Sequence, residues 1–185
     1  MDSGFSGGLH GWDKPAKWDR VKTFIPTAKT VPFLQRDLIT EIEGLLENVN
    51  FKKADGTTQE GIRGYMQQLP KLQSDDDDPD QYFPYFVVRH VRSQTTKGTD
   101  PWYATIDILF GIYDDDDDNT GHFQVENACQ RVVDRFAYEP LLNQSWRCEP
   151  DMEVVMQEDD TYPYFFGGIE LKFQMPKIRR NDEFS

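Results

Sequence analysis

Between Tyr103 and Tyr113 apolar side chains alternate along the chain. Ala104, Ile106, Ile108, Phe110 and Ile112 fall on one face and Thr105, Asp107, Leu109 and Gly111 on the other. A period of two predicts a β-strand covered more fully on one side. Downstream the period changes: Val125, Ala128, Cys129, Val132, Val133 and Phe136 recur at helical spacing. They form one apolar stripe of a helix running from about Gly121 to Tyr138, with Pro140 forcing its end nearby. Leu34, Leu38, Ile42, Leu45, Leu46 and Val49 make a second stripe behind Pro32, which predicts an amphipathic helix ending near Asn50, since proline is tolerated in a first helical turn.

Four more segments read as strands. Ile62–Leu69 is short and is closed by Pro70; Tyr82–Val91 is rich in aromatic and β-branched residues, with Pro84 near its start. Trp146–Met156 alternates imperfectly and is interrupted at Pro150. In Tyr164–Met175, Ile169, Leu171, Phe173 and Met175 face one way and Glu170, Lys172 and Gln174 the other. The polar stretch from Phe51 to Gly61 carries the turn signal Asp55-Gly56 and reads as a loop. The expected fold is α+β: a single domain with a mostly antiparallel mixed sheet of about five strands and two helices packed on it. Its expected extent is residues 32–176, preceded by an extended arm, residues 1–31, and followed by a charged tail, residues 177–185.

The arm changes the picture because it is polar and Gly-rich yet carries Trp12, Trp18 and Phe24. Such a segment cannot build its own core, so it is expected either to fold back on its own domain or to dock on a neighbouring subunit. The chain has a formal net charge of −13 over 185 residues. That charge argues against nucleic-acid binding by phosphate neutralisation, which needs clustered Lys and Arg. Two cysteines, Cys129 and Cys148, make no disulfide framework, and Cys129 falls in a helix stripe. No basic, apolar leader opens the sequence and no apolar run approaches membrane length, so a soluble protein made in a reducing cytoplasm is expected.

Two acidic runs invite a metal reading: Asp75, Asp76, Asp77 and Asp78, and Asp114, Asp115, Asp116, Asp117 and Asp118. Clustered carboxylates suit hard cations such as calcium. An EF-hand starting at Asp116 would find Asp118, Thr120 and Gly121 at suitable places, but its twelfth position is Asn127, with Glu126 one residue short. A strand also precedes the run where a helix is required, so like-charge repulsion in a solvated turn is the favoured reading. His10, His90 and His122 have no zinc spacing, and His90 is expected on the polar face of its strand. Phosphate-loop, dinucleotide and nucleophile-elbow motifs are all missing, and Gly167-Gly168 reads as a bulge or a close backbone approach. The expectation is a protein without catalytic residues, cofactor or metal.

Three phrases carry a resemblance. They are YFPYFVVRHV; ATIDILFGIYDDDDDNTGHFQVENACQRVVDRF with LLN after it; and TYPYFFGGIELKFQMPKIRR. Phe83, Pro84, Tyr85 and Phe86, then Gly111 and Tyr113, then Tyr162, Pro163, Tyr164, Phe165, Phe166, Gly167, Ile169 and Pro176 match the pattern of tail terminator proteins of tailed bacteriophages and prophages. The similarity spans about residues 32–180; Gly168 departs from it, standing where an acidic residue is usual, and the Trp-bearing arm is not part of the pattern. The resemblance implies a small α/β domain that assembles as a ring, commonly a hexamer. That ring caps the tail tube, ends its polymerisation and joins it to the neck of the capsid. Implied partners are further copies of the chain, the tail tube protein, a neck or head-completion protein and, in a contractile particle, the sheath. DNA passes through the pore without specific binding, and no membrane is involved. Another neck, head-closure or sheath-interacting station is the nearest alternative, and a calcium-binding module a distant one. On this reading Trp12, Trp18 and Phe24 are candidate subunit contacts, and the two acidic runs are candidate lumen or rim loops of a virion component, one of them expected to face the lumen and repel DNA.

Overall fold

A computed structural model describes residues 29–72, 78–95, 101–118 and 120–176. Trp12, Trp18, Phe24, Asp75, Asp76 and Asp77 therefore lie outside the described residues, as does the tail from 177 onward. The fold is α+β, with two α-helices and one nine-stranded sheet among the described residues.

Helix α1 (Val31–Leu46) begins with its proline in the first turn and buries Leu34, Leu38, Ile42 and Leu46. Helix α2 (Gly121–Tyr138) buries Val125, Ala128, Cys129, Val132 and Phe136. The stripe at i, i+3, i+4 and i+7 places these side chains on one face of each helix. Ile39 of α1 stands over Gly64 beside Phe86, and Val125 of α2 over Gly167; Phe86, Phe110 and Gly167 share one row, so both helices cover the same side of the sheet.

The strands are β1 (Asn50–Lys52), β2 (Thr58–Glu60), β3 (Arg63–Met66), β4 (Tyr85–Gln94), β5 (Tyr103–Tyr113), β6 (Leu141–Leu142), β7 (Trp146–Cys148), β8 (Glu153–Met156) and β9 (Tyr164–Gln174). At the centre β5 pairs antiparallel with β9 along its whole length, from Tyr103↔Gln174 to Tyr113↔Tyr164. Its other edge is taken by β4 and, at Tyr113, by β1. The outer edge of β9 is shared by β7 and β8. Only β3 and β4 pair in parallel among the described strands, so the sheet is mixed but mostly antiparallel.

Nine strands replace the expected five. The polar stretch after α1 is not a loop, because β1 and β2 form a hairpin around Asp55-Gly56, where Gly56 takes φ 78°. Residues 146–156 divide into β7 and β8, since Pro150 can supply no N–H to a ladder. Leu141–Leu142 pairs with β7 through a turn in which Asn143 and Gln144 both have left-handed backbones (φ 46° and 52°). Ser145 N–H closes that turn on Leu142 C=O at 3.0 Å.

His90 also departs from expectation. It lies opposite Ile106, in phase with Phe86 and Val88 on the helix-covered side, half-buried, with a ring nitrogen 2.9 Å from Ser93 Oγ. Beside it β3 has ended, and Gln67 (φ 69°) continues the ladder with its side chain. The Gln67 amide accepts from His90 N–H at 3.0 Å and donates to His90 C=O at 3.2 Å. Buried Gln35 of α1 donates to Gln67 Oε1 (3.0 Å) and to Val88 C=O (2.8 Å), pinning the start of α1 over this edge.

The Gly167-Gly168 pair makes a close approach and no bulge, for the register with β5 runs through it unbroken. A Cβ on Gly167 would meet Val125 Cγ1 at 2.7 Å, and one on Gly168 would meet Ile108 O at 2.9 Å. Both cysteines are buried and unpaired, and burial pushes each thiol up to about 12. Because the thiolate is the reactive form, the native protein should leave both thiols unmodified by a thiol reagent at neutral pH and expose both on unfolding. Absorbance of the released chromophore checks this, and a thiol that reacts rapidly in the native protein would contradict the burial.

Candidate functional site

The three phrases that carry the resemblance meet at one end of the sheet. Register alone brings Tyr85 opposite Gly111, Gly111 opposite Phe166, and Tyr113 opposite Tyr164. Phe83 then packs against Tyr85 and Tyr164 with ring centroids 5.0 Å apart in each case, and against Phe166 at 6.0 Å. Tyr113 and Tyr164 lie 5.6 Å apart. Gly111 is the space into which Tyr85 lies, since a Cβ there would come within 2.5 Å of its ring. Edge-to-face and tilted pairs of this kind add about 0.5–1.5 kcal/mol each beyond burial. Tyr164 donates to Asp80 Oδ2 at 2.7 Å, and that carboxylate keeps its hydroxyl protonated, pushing it up to about 12.

From this aromatic end a face that no described helix covers extends along the sheet; on it Val87 is buried and Tyr85, Leu109 and Phe166 are half-buried. Register sets it out in rows across the strands. Tyr85, Gly111 and Phe166 form the first. The second is Val87, Leu109, Gly168 and Val155, and the third is Arg89, Asp107, Glu170 and Glu153. A groove of about 660 Å³ lies over these rows, its rim including Gln68 and Leu69 just beyond β3. Val155 is 58% exposed at the outer edge. Burial pushes the Asp107 carboxyl up, and Arg89 opposite offsets part of that shift. A continuous apolar strip with a charged border has the composition of a contact surface.

The acidic turn after β5 differs from a freely solvated loop. Asp114 is 3% exposed. Its N–H donates to Pro163 C=O at 2.9 Å, and its carboxylate accepts from Gln124 Nε2 at 3.1 Å and Asp116 N–H at 3.2 Å. Lys52, at the end of β1, brings its Nζ to 3.2 Å from Asp114 Oδ1 and 3.4 Å from Asp115 Oδ1, and it also pairs with Asp116. These three carboxylates could converge on a cation, as ligand atoms within 4.8 Å of one another. The chain places its own ammonium among them, and they hold Lys52 well above the usual lysine range.

The expectation that repulsion keeps the whole run exposed therefore fails at Asp114 and holds for Asp115, Asp116, Asp117 and Asp118. Asp78 is exposed as well, accepting from Asp80 N–H at 2.9 Å to cap the short 3-10 helix Pro79–Tyr82. The turn is tied to the aromatic end, because Tyr162 Oη donates to Asp115 C=O at 2.9 Å. Lys52 and Val155 carried no signal in sequence, the first being one lysine of a polar hairpin and the second one valine of an irregular strand. Replacing Asp114 by alanine leaves Gln124 Nε2 and Asp116 N–H without their acceptor and should cost about 1–3 kcal/mol. The same change at exposed Asp117 should stay within about 0.5 kcal/mol. Urea unfolding of the two variants measures the contrast, and equal effects would refute the anchoring role.

No family model matches this chain, and no curated protein matches it. No described helix is long and apolar enough to cross a membrane.

Proposed function

We propose that this chain is a structural virion protein of the tail terminator kind. It forms a ring of its own copies, hexameric by the resemblance, that caps the tail tube, stops its polymerisation and presents a surface to the neck. The observation that supports this reading is the meeting of the three phrases. Phe83-Pro84-Tyr85, Gly111-x-Tyr113 and Tyr162–Gly167 are separated by long stretches of sequence, yet they build one aromatic cluster with the acidic turn hydrogen-bonded to it. Residues serving one structural end are a stronger basis for a family resemblance than three unrelated coincidences of sequence.

In this reading the work is done by surfaces. A closed ring needs two different patches on each subunit that meet on rotation. The exposed carboxylates Asp115–Asp118 stand at one end of the sheet, where a lumen-facing placement would repel passing DNA and keep the pore from binding it. Light scattering and negative-stain images of the purified protein, alone and with tail tubes, test for the ring. Deleting the gene in the host tests the station: overlong tails without heads are the expected result. Normal-length tails with unattached heads would move the protein to another neck position, and normal infectious particles would refute a role in the virion.

A further inference from the structure

The face of the sheet that no described helix covers has a chemistry that one segment of this chain matches. We infer that residues 12–24 of the same chain seat on it, passing around the β3–β4 edge. Three observations carry this, and none depends on the tail-terminator reading.

The first is where the arm begins. The first turn of α1 sits over the edge of the sheet, with Gln35 hydrogen-bonded to Gln67. Immediately after Gln67 the chain crosses to the other side, and Gln68 and Leu69 line the groove. The arm therefore leaves the domain at the rim of the face it would cover. Six residues, 25–30, reach about 20 Å when extended, enough to clear a helix layer about 10 Å from the sheet and turn its edge. Phe24 would arrive at the rim, with Trp18 and Trp12 further along.

The second is charge. Residues 12–24 carry Lys14, Lys17, Arg20 and Lys22 against Asp13 and Asp19, a cationic stretch in a chain of net charge −13. The third row of the face carries Asp107, Glu153 and Glu170 against Arg89. The third observation is composition. The first two rows make a flat apolar floor, Tyr85 lying over Gly111 and Leu109 over Gly168, with exposed Val155 at its outer edge. Flat, amphipathic rings suit such a floor because they bury much area at little conformational cost. Of the two expectations for the arm, this selects the intrachain one. A tethered segment rooted at the rim acts at a high effective concentration, which a neighbour's arm would have to outcompete.

Zero-length carbodiimide coupling, mapped by mass spectrometry, tests the placement on the full chain. The sample is a co-refolded mixture of unlabelled and heavy-isotope-labelled protein. Lys17 or Lys22 should couple to Glu153 or Glu170, always within one isotopic species. Val155→Gln, at an exposed position that the fold does not need, should lower that yield about fivefold by removing apolar contact. Coupling should also fall with added salt. Mixed light-heavy pairs would transfer the occupant to a neighbouring copy and overturn the inference. It is equally overturned if the arm lysines do not couple to these carboxylates, or if the Val155→Gln yield is unchanged. A ring seen by light scattering would survive any of these failures, so the two readings are tested apart.

Discussion

Trp146→Ala is expected to lower the unfolding free energy by about 4 kcal/mol, as burial of a large aromatic side chain is lost and a cavity is left. For a chain of this length that corresponds to a fall in melting temperature of roughly 10 °C. Trp146 is completely buried, and its indole Nε1–H donates to Asp37 Oδ2 of α1 at 2.8 Å. The same carboxylate oxygen accepts from Asn143 Nδ2 at 3.0 Å, so one aspartate ties the β6–β7 turn to the helix above it. Trp146→Phe separates the two contributions. It keeps most of the volume and leaves Asp37 with Asn143, so the loss should fall to about 1–2 kcal/mol. Differential scanning calorimetry on the three proteins decides between packing and hydrogen bonding. Equal losses for Ala and Phe would make the hydrogen bond dominant and refute the packing account.

Gly168→Glu is expected to destabilise by about 1–3 kcal/mol, even though it installs the acidic residue that the tail terminator pattern usually has there. The obstacle is backbone: a Cβ at this position would stand 2.9 Å from Ile108 O and 2.9 Å from Leu109 Cδ2. Leucine can rotate, but the carbonyl belongs to the central strand and moves only if β5 and β9 move apart. Most of the loss should already appear in Gly168→Ala, because the conflict lies at Cβ and not at the carboxylate. A Gly168→Ala protein that melts with the parent would show that the strands yield freely and would remove this explanation.

Both long helices and the three long strands were legible in the sequence because each follows one period for several turns or residues. Helix α2 spans the segment from Gly121 to Tyr138 that its stripe marks out. Of the short elements, β3 was legible within Ile62–Leu69, and β7 and β8 as one segment interrupted at Pro150; β1, β2 and β6 were not. Two or three residues cannot show a period, and β1, β2 and β6 are strands only because β5 and β7 supply partners for them. His90 was assigned to the wrong face because it is polar, whereas its phase with Phe86 and Val88 places it opposite Ile106. The acidic turn was legible as a cluster of charge and illegible as a site. Nothing in DDDDDN says that the first aspartate is buried or that Lys52, far earlier in the chain, stands among the first three.

What the sequence determined by itself is the set of periods, and with it the α+β class, the helix stripes and the alternating faces of β5 and β9. Those are local properties, set by the angle between successive side chains, and they require no knowledge of the partner. Tertiary structure alone decided which faces are covered. It put both helices on one side, so that no described helix covers the rows from Tyr85 to Glu153. It also gathered Phe83, Gly111, Tyr113 and Tyr164 into one end and set a lysine among three aspartates. Such choices depend on the register between distant strands, where a shift of one residue would turn every side chain to the opposite face.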